Sequence, residues 1–288
     1  MKVSGETKVC GIIGDPIEYT LSPVMHNAAF SELKLDFVYV PFKVKRGELR
    51  NAIIGSKTLD IVGLNVTMPH KNAVTRYLDE VDLTARLIGA VNTIQNKEGH
   101  LIGYNTDGIG ALKALRENGI TLVGKKLLLL GAGGTARSIA FHVAKEVEEL
   151  LIFNRTPQKA KKLAKVLRKE SKSKIKSNSL SIKILKDQLK DADILVNATS
   201  VGMRPDINQS LVPPSLLRSE LCVMDTVYNP IETKLTRDAR VVGAKIVSGI
   251  DMLVYQGAAS FEIWTHHQAP VKVMKQAAFE QLSELRTH

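Results

Sequence analysis

The chain has 288 residues, 44% of them hydrophobic, enough for two compact domains with cores of their own. No apolar run approaches the ~20 residues that cross a bilayer, and the opening residues lack the length and cleavage site of a signal peptide, so neither a membrane nor a secretory route is expected. Forty Lys and Arg against 29 Asp and Glu give a formal charge of +11, concentrated between Lys159 and Lys186 with no aromatic residue to stack on a base; a solvated face that steers anionic ligands is expected there, and no nucleic-acid partner.

Short Val/Ile-rich runs alternate with helical patterns from end to end, which predicts an α/β fold with mainly parallel sheets. In the first part the patterns predict strands at 8–13, 37–42, 60–66, 90–95 and 100–104, with Asn96-Lys97-Glu98-Gly99 as a hairpin turn between the last two. Helices are predicted at 23–33, 46–56, 71–78, 82–88 and 107–118. In the second part strands are predicted at 126–130, 149–153, 181–185, 193–197, 221–226 and 244–247, and helices at 135–147, 157–169 and 232–241. The Lys/Ser-rich stretch 171–181 reads as a connection, and two helices, 250–266 and 271–285, close the chain. Cys10 and Cys222, the only cysteines, lie in apolar strand-like runs and are expected as buried free thiols, which suits a reducing cytoplasm.

Residues 125–159 carry the strongest local signal. An apolar strand ending at Leu130 enters Gly131-Ala132-Gly133-Gly134-Thr135-Ala136, an amphipathic helix follows, and a second strand ends at Phe153. That is the frame of a dinucleotide-binding unit: Gly131 turns the chain, Gly133 lets backbone approach a pyrophosphate, and Ala136 keeps the helix close to the strand. An NAD site places Asp or Glu at the end of the second strand, whereas this chain has Asn154, Arg155 and Thr156, with Lys159 one turn on. A carboxylate repels a 2′-phosphate and these groups bind one, so NADP is the expected cofactor.

Polar clusters precede this unit. Tyr19-Thr20-Leu21-Ser22-Pro23 offers two hydroxyls at a helix start, with Ser22 as expected N-cap and Pro23 as first helical residue, a place suited to a carboxylate. His26 on that helix is expected to be structural. Asn65, Thr67 and Lys71 gather where a strand ends at Pro69; Gly89-Ala90-Val91-Asn92-Thr93 and Gly103-Tyr104-Asn105-Thr106-Asp107-Gly108 follow. The domain boundary is expected at Asp107: residues 1–107 bind substrate, 108–248 form a Rossmann-type doubly wound unit, and 249–288 return to pack on the first domain. Cofactor and substrate would then line two walls of a cleft that opens and closes.

Taken in order, S-P-x-x-H-N, N-V-T-x-P-x-K, G-A-V-N-T, N-T-D-G, G-A-G-G-x-x-R, N-R-T and N-A-T-S-x-G, then Tyr228-Asn229-Pro230, Gly249-Ile250-Asp251-Met252-Leu253 and Gln256-Gly257, resemble the shikimate dehydrogenase family over nearly the whole chain. The resemblance implies reversible NADP-dependent oxidation of shikimate to 3-dehydroshikimate in aromatic amino-acid biosynthesis, and leaves a homodimer open. It implies Lys71 and Asp107 as the catalytic pair, Thr20 and Ser22 at the substrate carboxylate, and Asn65, Thr67, Asn92 and Gln256 at its hydroxyls, with Tyr228 nearby. Gly131, Ala132, Gly133, Gly134, Asn154, Arg155, Thr156 and Lys159 match the cofactor site, with Thr199, Ser200, Val227 and Gly249 near the nicotinamide.

Oxidising a secondary alcohol requires a group that takes the hydroxyl proton as hydride leaves. Lys71 accepts it only as the neutral amine; a carboxylate at Asp107 favours the ammonium and burial the amine, and both remain open. Thr20 stands where the family more often has serine, which leaves shikimate and quinate both open as substrates. His266-His267 stands where glycine is usual, indicating a changed helix end; adjacent helical positions face apart, so no metal is expected. The rivals are a quinate/shikimate dehydrogenase of broader acid or cofactor use, a methylene-tetrahydrofolate dehydrogenase, and a non-catalytic NADP-binding sensor.

Overall fold

The computed structural model describes residues 3–284, which form two units: residues up to Asp107 together with those from Val254 onward, and Gly108–Leu253. The first unit contains β1 (Lys8–Gly14), α1 (Ser22–Glu32), β2 (Phe37–Lys43), α2 (Leu49–Thr58), β3 (Gly63–Val66), β4 (Glu80–Val81), α3 (Leu83–Ile88), β5 (Thr93–Lys97) and β6 (His100–Tyr104). The second contains most of α4 (Asp107–Glu117), then β7 (Lys126–Leu130), α5 (Gly134–Val143), β8 (Glu149–Asn154), α6 (Pro157–Glu170), β9 (Lys174–Ser179), α7 (Ile182–Leu189), β10 (Ile194–Asn197), β11 (Cys222–Asp225), α8 (Lys234–Val241) and β12 (Lys245–Val247). The chain ends with α9 (Gly249–Thr265) and α10 (Val271–Glu284). The division falls inside α9, at Val254, so residues 249–253, grouped by the sequence pattern with the returning helices, lie in the second unit.

The first unit's sheet has the order β2-β1-β3-β5-β6-β4, parallel at β1/β2, β1/β3 and β4/β6 and antiparallel at β3/β5 and β5/β6. The β5–β6 hairpin turns at Glu98 (φ 51°) and Gly99 (φ 84°), both left-handed as a tight two-residue loop demands, and Asn96 Oδ1 accepts the Gly99 N–H at 2.8 Å. α3 starts at Asp82, whose carboxylate accepts the Thr84 and Ala85 N–H groups, and stops at Gly89 in the left-handed conformation. α10 packs on α1, which ties the C-terminal residues into this unit.

The second sheet is parallel throughout, in the order β12-β11-β10-β7-β8-β9, the doubly wound arrangement with its crossover between β7 and β10. Leu127–Leu130 of β7 are all fully buried, which explains an unbroken leucine run where a half-exposed strand would alternate.

Three sequence expectations are corrected. The segment 71–78 is not a helix: the Lys71 carbonyl accepts the Val91 N–H at 2.8 Å, which takes it from a helical ladder, and only the 3-10 turn Val74–Tyr77 forms. The stretch 171–181 contains the edge strand β9, with Ile175 buried and Lys174 and Lys176 outward, a charge pattern that suits an exposed edge. Residues 181–185 are the start of helix α7, whose N-cap Ser181 accepts the Ile184 N–H. At the end of α9, His266 takes a left-handed φ of 57°, the conformation glycine adopts most easily. No helix is long and apolar enough to cross a membrane among the described residues.

Candidate active site

In the first unit Lys71 follows β3 in a firmly anchored turn. His70 donates its N–H to Thr67 O at 2.9 Å, and its buried ring Nε2 lies 2.7 Å from Val44 O. From this turn Lys71 Nζ reaches Asp107 Oδ2 at 2.6 Å; the lysine side chain is 18% exposed and the carboxylate 5%. Asp107 begins α4, where the helix N-terminus favours a negative charge. Its second oxygen, Oδ1, accepts Asn92 Nδ2 at 2.8 Å. The orientation of Asn92 follows from Thr106, whose N–H can only donate: it faces Asn92 Oδ1 at 2.8 Å, which turns Nδ2 toward Asp107, Thr106 Oγ1 (2.9 Å) and Gln256 Oε1 (3.2 Å). The carboxylate is therefore held from both sides, and the amine it holds can exchange a proton with an oxygen brought to it.

Behind Asn92 lies Asn65, 5% exposed. Its Oδ1 accepts the Tyr39 hydroxyl at 2.7 Å, and its Nδ2 lies 3.0 Å from Ser260 Oγ and 3.2 Å from both Thr93 Oγ1 and Asn92 O. Thr67, two residues on, donates its N–H to Ile13 O and lays its methyl against Gly14. At the start of α1 Ser22 is not the N-cap: Leu21 occupies that position without a side-chain bond, and Ser22 is the first helical residue. Its hydroxyl, released from capping, meets Thr20 Oγ1 at 3.3 Å and also bonds Tyr39, so Tyr39 links this pair to Asn65. His26 stacks on Tyr39 at 4.4 Å, and burial holds its imidazole down at about 3, a structural place in the core. Tyr228 lies in the second unit, after β11, where burial raises its phenol.

In the second unit Gly131 takes φ +117°, and a Cβ there would lie 2.7 Å from Ala198 O, so only glycine makes this turn. Gly133 precedes α5; no atom lies within 4 Å of where its Cβ would stand, no side chain caps the helix, and the first turn carries no acid. This cradle, with Ala132 and Gly134 on either side, fits a pyrophosphate against the helix N-terminus. At the end of β8, Asn154 Nδ2 donates to Thr156 O at 2.9 Å, and Thr156 opens α6 with Arg155 and Lys159 exposed beside it. The first turn of α6 has no acidic residue either, which suits a 2′-phosphate.

A buried carboxylate absent from the predicted set, Asp225, joins the two loops expected near the nicotinamide. Its Oδ1 accepts Asn197 Nδ2 (2.9 Å) and the Val227 N–H (3.1 Å), and its Oδ2 accepts the Thr233 hydroxyl (2.7 Å). Asn197 Oδ1 in turn accepts the Thr199 hydroxyl at 2.7 Å, with Ser200 exposed next along the loop. Gly249 lets its helix approach Val227 O, where a Cβ would stand only 2.5 Å away. Burial pushes the Asp225 carboxyl from 3.8 up to about 6, against the hydrogen bonds from Thr233, Val227 and Asn197. A raised acid contributes stability that is complete below its unfolded value and lost as pH rises through its folded one. Asp225→Asn, which never ionises, is therefore expected to gain on the native chain by up to about 3 kcal/mol between about pH 4 and pH 7. Urea unfolding of both proteins across that range measures the gain; a difference independent of pH would contradict it.

Tyr39, Thr93, Thr106, Ser260 and Asp225 escaped the sequence patterns. Thr93 and Thr106 stand inside the quoted clusters, whereas the only sign of Ser260 is its place one helical turn beyond Gln256. Among the described residues no three His, Cys, Asp or Glu side chains come together as metal ligands.

Comparison with known proteins adds the lineage. The family model for the shikimate dehydrogenase substrate binding domain matches residues 12–94, that for shikimate / quinate 5-dehydrogenase residues 113–227, and that for the shikimate 5′-dehydrogenase C-terminal domain residues 249–279. A shikimate dehydrogenase (NADP(+)) of Methanocaldococcus jannaschii is 45% identical over 98% of this chain and 100% of its own. The chain belongs to the shikimate dehydrogenase family. Another member, the shikimate dehydrogenase (NADP(+)) of Methanobrevibacter smithii, is 50% identical over 95% of this chain and 96% of its own length. A shikimate dehydrogenase crystallised with NADP+ superposes with a TM-score of 0.92 at 45% identity, covering 98% of both chains.

Proposed function

We propose that this chain catalyses the reversible NADP-dependent oxidation of shikimate to 3-dehydroshikimate, a step of aromatic amino-acid biosynthesis. The observation that carries this reading is the Lys71–Asp107 pair, 2.6 Å apart and locked by Asn92, in a member of this family. NADP held in the glycine-turn site would supply the acceptor for the hydride of the alcohol carbon. Lys71 Nζ takes the hydroxyl proton in that direction and returns it to the carbonyl oxygen in the other; Asp107 aims the amine and balances its charge. Thr20 and Ser22 hold the acid's carboxylate, and Asn65, Thr67, Asn92 and Gln256 its hydroxyls, with Tyr228 as a further contact. The glycine turn holds the pyrophosphate, Asn154, Arg155, Thr156 and Lys159 the 2′-phosphate, and Thr199, Ser200, Val227 and Gly249 the nicotinamide end. Two buried free thiols, Cys10 and Cys222, support a reducing, cytoplasmic setting.

The deciding assay follows formation of reduced nicotinamide with shikimate or quinate and with NADP or NAD. Shikimate with NADP is expected to turn over fastest; faster quinate oxidation with NAD would overturn the proposal. Arg155→Ala is expected to weaken NADP by roughly 1–3 kcal/mol, as for a charge-assisted contact, and to leave NAD nearly unchanged. Titrating both cofactors into the variant tests this, and equal weakening removes Arg155 from the 2′-phosphate site.

A further inference from the structure

We infer that Ser260 is a positioning residue for substrate binding, acting through the side-chain amide of Asn65. Ser260 is fully buried on α9 and its hydroxyl sits at the centre of a cluster drawn from four segments. Asn65 Nδ2 lies 3.0 Å away on β3, Thr93 Oγ1 2.8 Å away on β5, Thr106 Oγ1 3.3 Å away before α4, and the Gln256 carbonyl 3.1 Å away one turn earlier on α9. A hydroxyl has one proton and two lone pairs. The Gln256 carbonyl can only accept, so it takes the Ser260 proton; both lone pairs are then available to Asn65 and to a threonine hydroxyl.

The polarity of Asn65 is set by the same logic. The Asn92 carbonyl, 3.2 Å from Nδ2, can only accept, so the amide nitrogen faces it and Ser260 while Oδ1 faces the Tyr39 hydroxyl. With Tyr39 on one lone pair, Oδ1 keeps a second for a hydroxyl of the acid. Together with the Asn92 carbonyl, Ser260 thus fixes which end of Asn65 the substrate meets. The inference rests on the reading that Asn65 meets the acid.

The test uses the full chain. Native protein must first oxidise shikimate with NADP; if it does not, the proposed function fails and Ser260 is not the reason. Ser260→Cys places a larger atom that is only a weak acceptor, and Ser260→Ala removes the acceptor without adding bulk, so an effect common to both reports the lost acceptor. Both are expected to raise KM for shikimate by about tenfold, the value of one lost buried hydrogen bond, while KM for NADP stays within about twofold. In an Asn65→Ala background the Ser260→Cys change should add no more than about twofold, because its route is already cut. Native-like shikimate KM in Ser260→Cys overturns the inference. So does a parallel rise in both KM values, or a full tenfold effect that persists without the Asn65 amide.

Discussion

Lys71→Ala is expected to cut turnover by at least ~10²-fold while shikimate still binds, the usual scale for losing a positioned acid–base group. The 2.8 Å bond from Asn92 to Asp107 does not involve Lys71, so the carboxylate is expected to stay in place with no amine to aim. Water can replace Nζ as a hydrogen-bond partner of the carboxylate and cannot replace it as a held proton carrier. The loss should therefore fall on kcat, whereas binding of the acid, measured by calorimetry, changes little. Near-normal turnover would remove Lys71 from the mechanism; loss of binding with unchanged kcat would make it a ligand only.

Gly63→Ala is the substitution expected to harm the fold most. A Cβ on Gly63 would overlap the indole of Trp264, which is 4% exposed and donates Nε1–H to Ile94 O at 2.9 Å. The ring is confined further by His26 at 5.3 Å and Tyr39 at 6.0 Å. The backbone has no room to retreat either, because Gly63 pairs with Cys10 of β1 on one side and Gln95 of β5 on the other. Overpacking at a site this rigid should cost about 3 kcal/mol, the upper end of the usual range. Trp264 is the only tryptophan, so denaturant unfolding followed by its fluorescence reads the affected spot directly. A midpoint equal to that of the native chain would show that the indole moves aside.

The dinucleotide frame was legible in the sequence because it depends on local chemistry: a glycine that must turn and a strand that must be apolar on both faces. The pairing of Lys71 with Asp107, 36 residues apart, came from the resemblance to the family and not from any local pattern. Segment 71–78 misled because its helical pattern competes with a distant partner, the Val91 N–H, that no local pattern contains. Ser22 misled for a related reason. Its sequence context is that of a cap, but the helix begins a residue earlier than that context requires and the hydroxyl serves Thr20 and Tyr39 instead. The lysines of β9 masked an edge strand, since outward charges on an edge look like a loop. Ser260 and Tyr39 stayed hidden because their partners are remote in the chain, and a serine on an apolar helix gives no hint of which strand it will face.

His26 and Asp225 answer acid in opposite senses. An imidazole sealed among rings stays neutral in the folded first unit, so acidification below its ordinary value of 6.5 favours any opened form that can take up the proton. The carboxyl sealed in the second unit works the other way, since protonation relieves its burial. As acid is added, one buried group favours opening and the other opposes it, so replacing each in turn separates their shares of the pH dependence of unfolding.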